Sequence, residues 1–224
     1  MPARLFLDST DPWINWDWLI NHVPYVLGAL QQHVLLTVIA VAAGVLIAVP
    51  LGVLAQRAPA IRLVVIGSFG AFYTIPSLAV FALLVPFTGI ATTTTAEIPL
   101  IGYNVFILIR NVVVGLDAVP REVLDAADGM GYRARARLLR VELPLALPAI
   151  FAGLRIATVS TIGLITITAV IGLGGLGQLI NQGLQENFRT PLVVATLGSI
   201  ALALVADLTL ATGQRLALPW SRQA

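Results

Sequence analysis

A chain of 224 residues that is 58% hydrophobic and only 11% charged, with a mean hydropathy of +0.93, lies far from the roughly 25% charged residues of a soluble domain. Its length is taken up by several apolar spans of about 20 residues each, which leaves little room for a soluble catalytic domain. Cysteine is absent, excluding disulfides, thiolate metal sites and thiol catalysis, and the net charge of +2 is set by arginine because there is no lysine.

Residues 1–32 hold one arginine, three aspartates and no uninterrupted apolar core before Asp17, so they do not resemble a cleaved signal peptide. Trp13, Trp16 and Trp18 suit an extracytoplasmic interfacial segment, where amphipathic rings sit among headgroups. His22 and His33 are the only imidazoles, and both precede the first predicted span, which argues against a metal pair. The spans are predicted at about 34–55, 63–87, 98–116, 149–172 and 192–212, giving an all-α integral membrane protein of about five transmembrane helices.

The second span is interrupted by Gly70 and by Thr74-Ile75-Pro76-Ser77. Proline there removes a backbone donor and bends the helix, either for packing or to line a pathway. Residues 88–97, with four successive threonines and no basic group, read as a short loop. Arg110 and Asn111 fall in the later part of the third span, and Arg155 about two turns into the fourth. Gly172, Gly174 and Gly177 satisfy G-x-G-x-x-G, but a dinucleotide site needs a strand before them. Glycines that end a helix and allow close packing are the better account of this turn and the mildly amphipathic segment that follows to 189.

Basic residues choose the sides. Arg57, Arg62, Arg110, Arg121, Arg133, Arg135, Arg137, Arg140, Arg155, Arg215 and Arg222 lie in or beside one set of loops, and only Arg4 and Arg189 in the other. Since arginine stays cytoplasmic, the N-terminus is predicted outside and the C-terminus inside. No charge sits near the middle of a span, which disfavours a self-sufficient ion-coupled carrier; Asp207, close to the end of the fifth span, is a candidate partner for Arg155. A transporter built this way needs an energy source outside the bilayer.

The one sizeable polar island, residues 121–144, is predicted cytoplasmic. Asp117 and Pro120 signal a helix start, with Glu122 and Asp125 in the first turns where acids favour a helix N-terminus. Val123, Ala127 and Met130 fall at i, i+4 and i+7 and give this helix one apolar docking edge. Gly129 and Gly131 end this helix, and a second follows, with Arg133, Arg137 and Arg140 on one face, ended by Pro144. Positive-inside bias and anionic lipid account for part of its arginine content, yet two ordered helical faces fit a docking element for another subunit.

The spacing Asp125-Ala126-Ala127, three residues, Gly131, nine residues, Val141, one residue, Leu143-Pro144 resembles the E-A-A, x3, G, x9, I-x-L-P loop of binding-protein-dependent ABC importer permeases. Asp125 stands there for Glu and Val141 for Ile. The stretches YTIPSLAVFALLVP from Tyr73 and LPLALPAIFAGLRIATVSTIGLITITAVIGLGGLG from Leu143 look like the osmoprotectant branch of that family, although methionine-type permeases also have five spans and a Gly-rich helix end.

The resemblance implies a type I importer permease domain over 33–212, with a coupling loop at 117–148 and a cytoplasmic tail at 213–224, in a bacterial plasma membrane. It implies docking of cytoplasmic ATPase subunits on Glu122, Asp125, Ala126, Ala127, Gly131, Val141, Leu143 and Pro144, a second permease half that is identical or related, and an extracytoplasmic solute-binding protein. ATP and Mg would be held by the ATPase, since this chain has no G-x-x-x-x-G-K-[ST] loop; no cofactor, metal or nucleic acid is implied for it, and membrane lipid is its surroundings. The implied solutes are glycine betaine, choline or carnitine, along a passage lined by Tyr73, Thr74, Pro76, Ser77, Asn111, Ser160 and Thr161. Phe69, Phe72, Tyr73 and Phe81 are the aromatic candidates for holding a quaternary ammonium. The alternatives are a permease for another small solute such as methionine, a self-contained carrier or channel, and a membrane scaffold.

Overall fold

The computed structural model describes residues 12–220, and among them every regular element is helical. The elements are α1 (Trp16–Asn21), α2 (Val23–Arg57), α3 (Pro59–Thr74), α4 (Ser77–Thr88), α5 (Thr93–Asp117), α6 (Arg121–Gly129), α7 (Ala134–Arg137), α8 (Leu143–Ile167), α9 (Leu176–Glu186) and α10 (Arg189–Ala217). A π turn at Leu138–Glu142 and a 3₁₀ turn at Thr168–Ile171 make Ala134–Ile171 one continuous helical run. Four runs among the described residues are long and apolar enough to cross a membrane, and the count is five if the bent pair of α3 and α4 is taken as one span. Arg4 and Arg222 lie outside the described residues.

The first spanning helix, α2, begins at Val23, eleven residues before the predicted span. The predicted boundary at 33–34 lies inside α2, where Gln32 and His33 each find a partner from another stretch of the first unit. The Gly175 N–H donates to Gln32 Oε1 at 2.9 Å, and the His33 Nε2 lies 3.0 Å from the Ile162 carbonyl. His33 is therefore a fully buried helix residue and not a group ahead of the span. Pro24 is tolerated in the first turn, where its missing N–H would be unpaired anyway.

α3 starts with Pro59 at its first position and ends where Pro76 forces its predecessor into extended backbone: Ile75 has φ −70° and ψ 131°. α4 resumes at once, with the Ala79 and Val80 N–H groups donating to the Pro76 carbonyl. The break is thus where the sequence placed it. The predicted loop at 88–97 is shorter than expected, because Thr92 Oγ1 accepts the Thr95 N–H at 3.2 Å and starts a new helix at Thr93. Threonine is a weak helix former but a good N-cap.

Pro144 does not end the second island helix. The π turn carries the Leu143 N–H to the Leu138 carbonyl, and the chain passes straight into α8 with Pro144 in its first turn. The π turn widens the helical ladder just before the ring, so the proline is accommodated without ending the run.

Two compact units are present, each assembled from separated stretches: residues 12–39, 76–100 and 160–204 in one, and 40–75, 101–159 and 205–220 in the other. In the first, Ala29, Leu176, Leu179 and Ala195 form the buried centre. Gly172 takes φ +83° and Gly175 φ +48°, and a Cβ on Gly175 would lie 2.7 Å from the Ala29 carbonyl oxygen. The glycines of this turn end a helix and admit a neighbour closely, as the sequence indicated. In the second unit, α5 is the central element. Val105, Leu108, Ile109, Val112 and Val113 are all buried, and Gly52 meets Val112 while Gly115 meets the Ala146 backbone.

Candidate functional site

The island at 121–144 folds as α6, a turn and α7, inside the second unit. The α6 helix closes with a two-bond cap: the Gly131 N–H donates to the Asp128 carbonyl at 2.9 Å and the Tyr132 N–H to the Ala127 carbonyl at 3.1 Å. This pattern needs a left-handed residue after the helix end, and Gly131 has φ +80°. Nothing lies within 4 Å of a Cβ built there, so the requirement is one of backbone conformation and not of space.

Burial divides the predicted docking residues. Glu122, Asp125, Ala126 and Gly131 are exposed, and Val141, Leu143 and Pro144 are half-buried on the continuing helix. Ala127 is 1% exposed; it supports α6 from within and has no surface to offer a partner. The apolar edge is shorter than its spacing suggested, since Val123 and Ala127 turn inward but Met130 is 69% exposed. Met130 follows the last helical residue, where 3.6-residue periodicity no longer holds.

An ion chain that the sequence reading passed over holds this element to the spans. Glu142, 5% exposed, accepts from Arg137 Nε at 2.9 Å and lies 3.8 Å from an Arg57 nitrogen. Arg137 also binds Asp128 near the end of α6. Asp128, Arg137, Glu142 and Arg57 therefore connect α6, α7, the π turn and the end of α2. The signal in the sequence was a lone acid following Arg133, Arg135, Arg137 and Arg140. Beside them Leu138 and Leu143 pack on Val112, Leu116 and Ala146, and Arg62 pairs with Asp117 at 2.8 Å. Charged and packed contacts thus connect α6 to α2, α5 and α8.

Of the predicted pathway residues, Tyr73 and Asn111 line one cavity of about 300 Å³ together with Phe106 and Arg110. Thr74 and Pro76 are exposed, Ser77 and Ser160 half-buried, and Thr161 is 1% exposed. Adjacent helix positions are about 100° apart, so Ser160 and Thr161 were not both able to face an opening. Among the aromatic candidates, Phe81 is fully buried and Phe69 packs in the core of the second unit. Phe72 fills the space above Gly102. Tyr73 is accompanied by Phe106 and Tyr103, which sequence reasoning missed because they come from another helix. Among the described residues no group of three potential ligands could hold a metal.

The sequence profile described as "Binding-protein-dependent transport system inner membrane component" matches residues 40–212. The osmoprotectant import permease protein OsmW of Salmonella typhimurium is 34% identical over 194 residues, 85% of this chain and 90% of that one. The choline transport system permease protein OpuBB of Bacillus subtilis is 35% identical over 192 residues, 86% and 88% of the two chains. The fold is similar to that of an inward-facing structure of the MetNI methionine ABC transporter, with a TM-score of 0.79 and 22% identity over 86% of this chain and 95% of the other. With the profile covering most of the chain and the helices arranged as in a solved importer, this multi-pass membrane protein belongs to the family of inner-membrane components of binding-protein-dependent transport systems.

Proposed function

We propose that this chain is the non-catalytic permease half of an ATP-driven importer of quaternary-ammonium osmoprotectants such as glycine betaine, choline or carnitine. Cytoplasmic ATPase subunits, holding ATP and Mg, dock on the exposed acidic face of α6 at Glu122 and Asp125, beside Ala126 and Gly131. Val141, Leu143 and Pro144 carry the displacement into α8. A second permease half, identical or related, completes the passage, and an extracytoplasmic binding protein delivers the solute. The permease domain takes in the whole of α2 and runs to 212, with its coupling loop at 117–148; the N-terminus lies outside and the C-terminal tail inside. Closure of the ATPases switches the helices between two rigid-body arrangements, one open to each side.

The observation that carries this reading is the Asp128, Arg137, Glu142 and Arg57 chain, because a loop that only recruited a partner would not need a rigid charged connection to two spans. The names of the similar permeases support the choice of solute. Reconstitution of the chain with its ATPase and binding protein tests it: glycine betaine or choline stimulates ATP hydrolysis and enters the vesicles. Gradient-driven flux by this chain alone, indifferent to ATP, overturns the reading in favour of a carrier. Uptake of methionine without any of the three ammonium solutes overturns the choice of solute.

A further inference from the structure

An arginine towards the end of an apolar helix either reaches the interface or pairs within the protein. In the second unit Arg57 and Arg137 share the Glu142 carboxylate, Arg62 has Asp117 and Arg155 has Asp207. Arg110, about two turns before the end of α5, is exposed and has no carboxylate within 4 Å among the described residues. Its guanidinium lies over the Phe106 ring at 5.6 Å. It also forms a wall of the cavity of about 300 Å³ that Tyr73, Phe106 and Asn111 line, a size at the lower end of small-molecule sites.

The groups around that cavity are held in place. The Tyr73 ring is 4.8 Å from Phe106 and meets Tyr103 edge-on at 5.5 Å, while the Tyr103 hydroxyl donates to the Ile75 carbonyl at 2.7 Å. Tyr73 nevertheless remains 42% exposed. Asn111 donates to the Ile107 carbonyl at 2.8 Å and sits against Gly153, where a Cβ would lie 2.5 Å from its own. One cleft thus joins an aromatic ring, suited to a quaternary ammonium, to an exposed guanidinium that makes no ion pair among the described residues. A purely cationic solute would meet that guanidinium as a like charge. A solute carrying both ammonium and carboxylate would satisfy both ends, because a planar guanidinium binds a carboxylate through two parallel hydrogen bonds.

We propose that the cleft of Tyr73, Phe106, Arg110 and Asn111 is a subsite for a zwitterionic solute, with its carboxylate on Arg110 and its quaternary ammonium against Tyr73. Arg110 sets the preference for carboxylate-bearing over purely cationic solutes. This rests on the osmoprotectant reading above.

The test compares uptake of radiolabelled glycine betaine, carnitine and choline by the complete reconstituted importer. Arg110→Gln lowers glycine betaine and carnitine uptake at least ten-fold relative to choline, whereas Tyr73→Leu lowers all three. Arg110→Lys, which keeps the charge but not the fork, shifts the same ratio several-fold and serves if Arg110→Gln does not assemble. An unchanged ratio, or equal loss of all three solutes with Arg110→Gln, overturns the subsite and leaves the osmoprotectant reading standing. A loss seen only in vesicles containing anionic lipid overturns it in favour of a headgroup phosphate. Failure of the wild-type importer to move any of the three overturns the osmoprotectant reading and the subsite with it.

Discussion

Arg155 and Asp207 form a two-point ion pair, Nε to Oδ1 and Nη2 to Oδ2, each at 2.7 Å, which fastens α8 to α10 within the second unit. Asp207→Asn leaves the guanidinium without a counter-charge and lowers the thermal unfolding midpoint in detergent. Arg155→Gln combined with Asp207→Asn recovers part of the loss, since neither charge is then stranded. A double variant whose effect equals the sum of the singles shows that the pair contributes no coupling.

Glu142 connects Arg137 to Arg57 at the base of α6. Glu142→Gln keeps shape but weakens both ion pairs. Transport falls at least ten-fold while ATP hydrolysis by the assembled complex persists. Arg57→Gln has a smaller effect, because its contact is 3.8 Å long and its side chain is 38% exposed. The ratio of solute moved to ATP hydrolysed is the measurement, and an unchanged ratio in Glu142→Gln argues against transmission through this chain.

Gly131 holds a positive φ with open space around it. The penalty for other residues is the left-handed backbone alone, roughly 1–2 kcal/mol. Coupled transport therefore falls in the order Gly, Asn, Ala, Val, because asparagine tolerates this region and β-branching does not. Equal uptake by Gly131→Val and wild type at normal assembly removes Gly131 from the docking element.

The turn after α8 behaves differently. In Gly175→Ala the new methyl meets the Ala29 oxygen and His33 at 2.7 Å in a left-handed backbone, and overpacking of this kind costs about 1–3 kcal/mol. Gly213→Ala, on a helix with nothing within 4 Å, stabilises by about 0.4–1 kcal/mol. Thermal unfolding of the two variants in detergent should move in opposite directions.

The orientation is checked with a reporter enzyme active only in the cytoplasm, fused after Leu138. Signal is the expected outcome, and silence reverses the topology.

Much of the site was legible because its determinants are local. Pro120, Glu122 and Asp125 with Gly129 and Gly131 specified a short acidic helix and its break, and Pro76 specified the break between α3 and α4; the left-handed backbone at Gly131 came from the structure. These follow from backbone sterics and helix periodicity, which act within a few residues. The exact reach of the helices was less legible: Gln32 and His33 read as a boundary, and Pro144 as a terminator, because their compensation comes from Gly175, Ile162 and a π register.

By itself, then, the sequence determined the class, a count of about five apolar stretches, the polar island with its break, and the candidate pairing of Arg155 with Asp207. Composition and short-range stereochemistry suffice for the first three, and two opposite charges in apolar helices have few other partners. Only the tertiary structure decided which residue on a helix faces a cavity and which a core, separating Ser160 from Thr161 and exposed Ala126 from buried Ala127. It also decided that Glu142 joins Arg137 to Arg57, and that Tyr73, Phe106 and Arg110 share one cleft. Those outcomes depend on the rotation of each helix against neighbours distant in sequence, and no local pattern encodes that rotation.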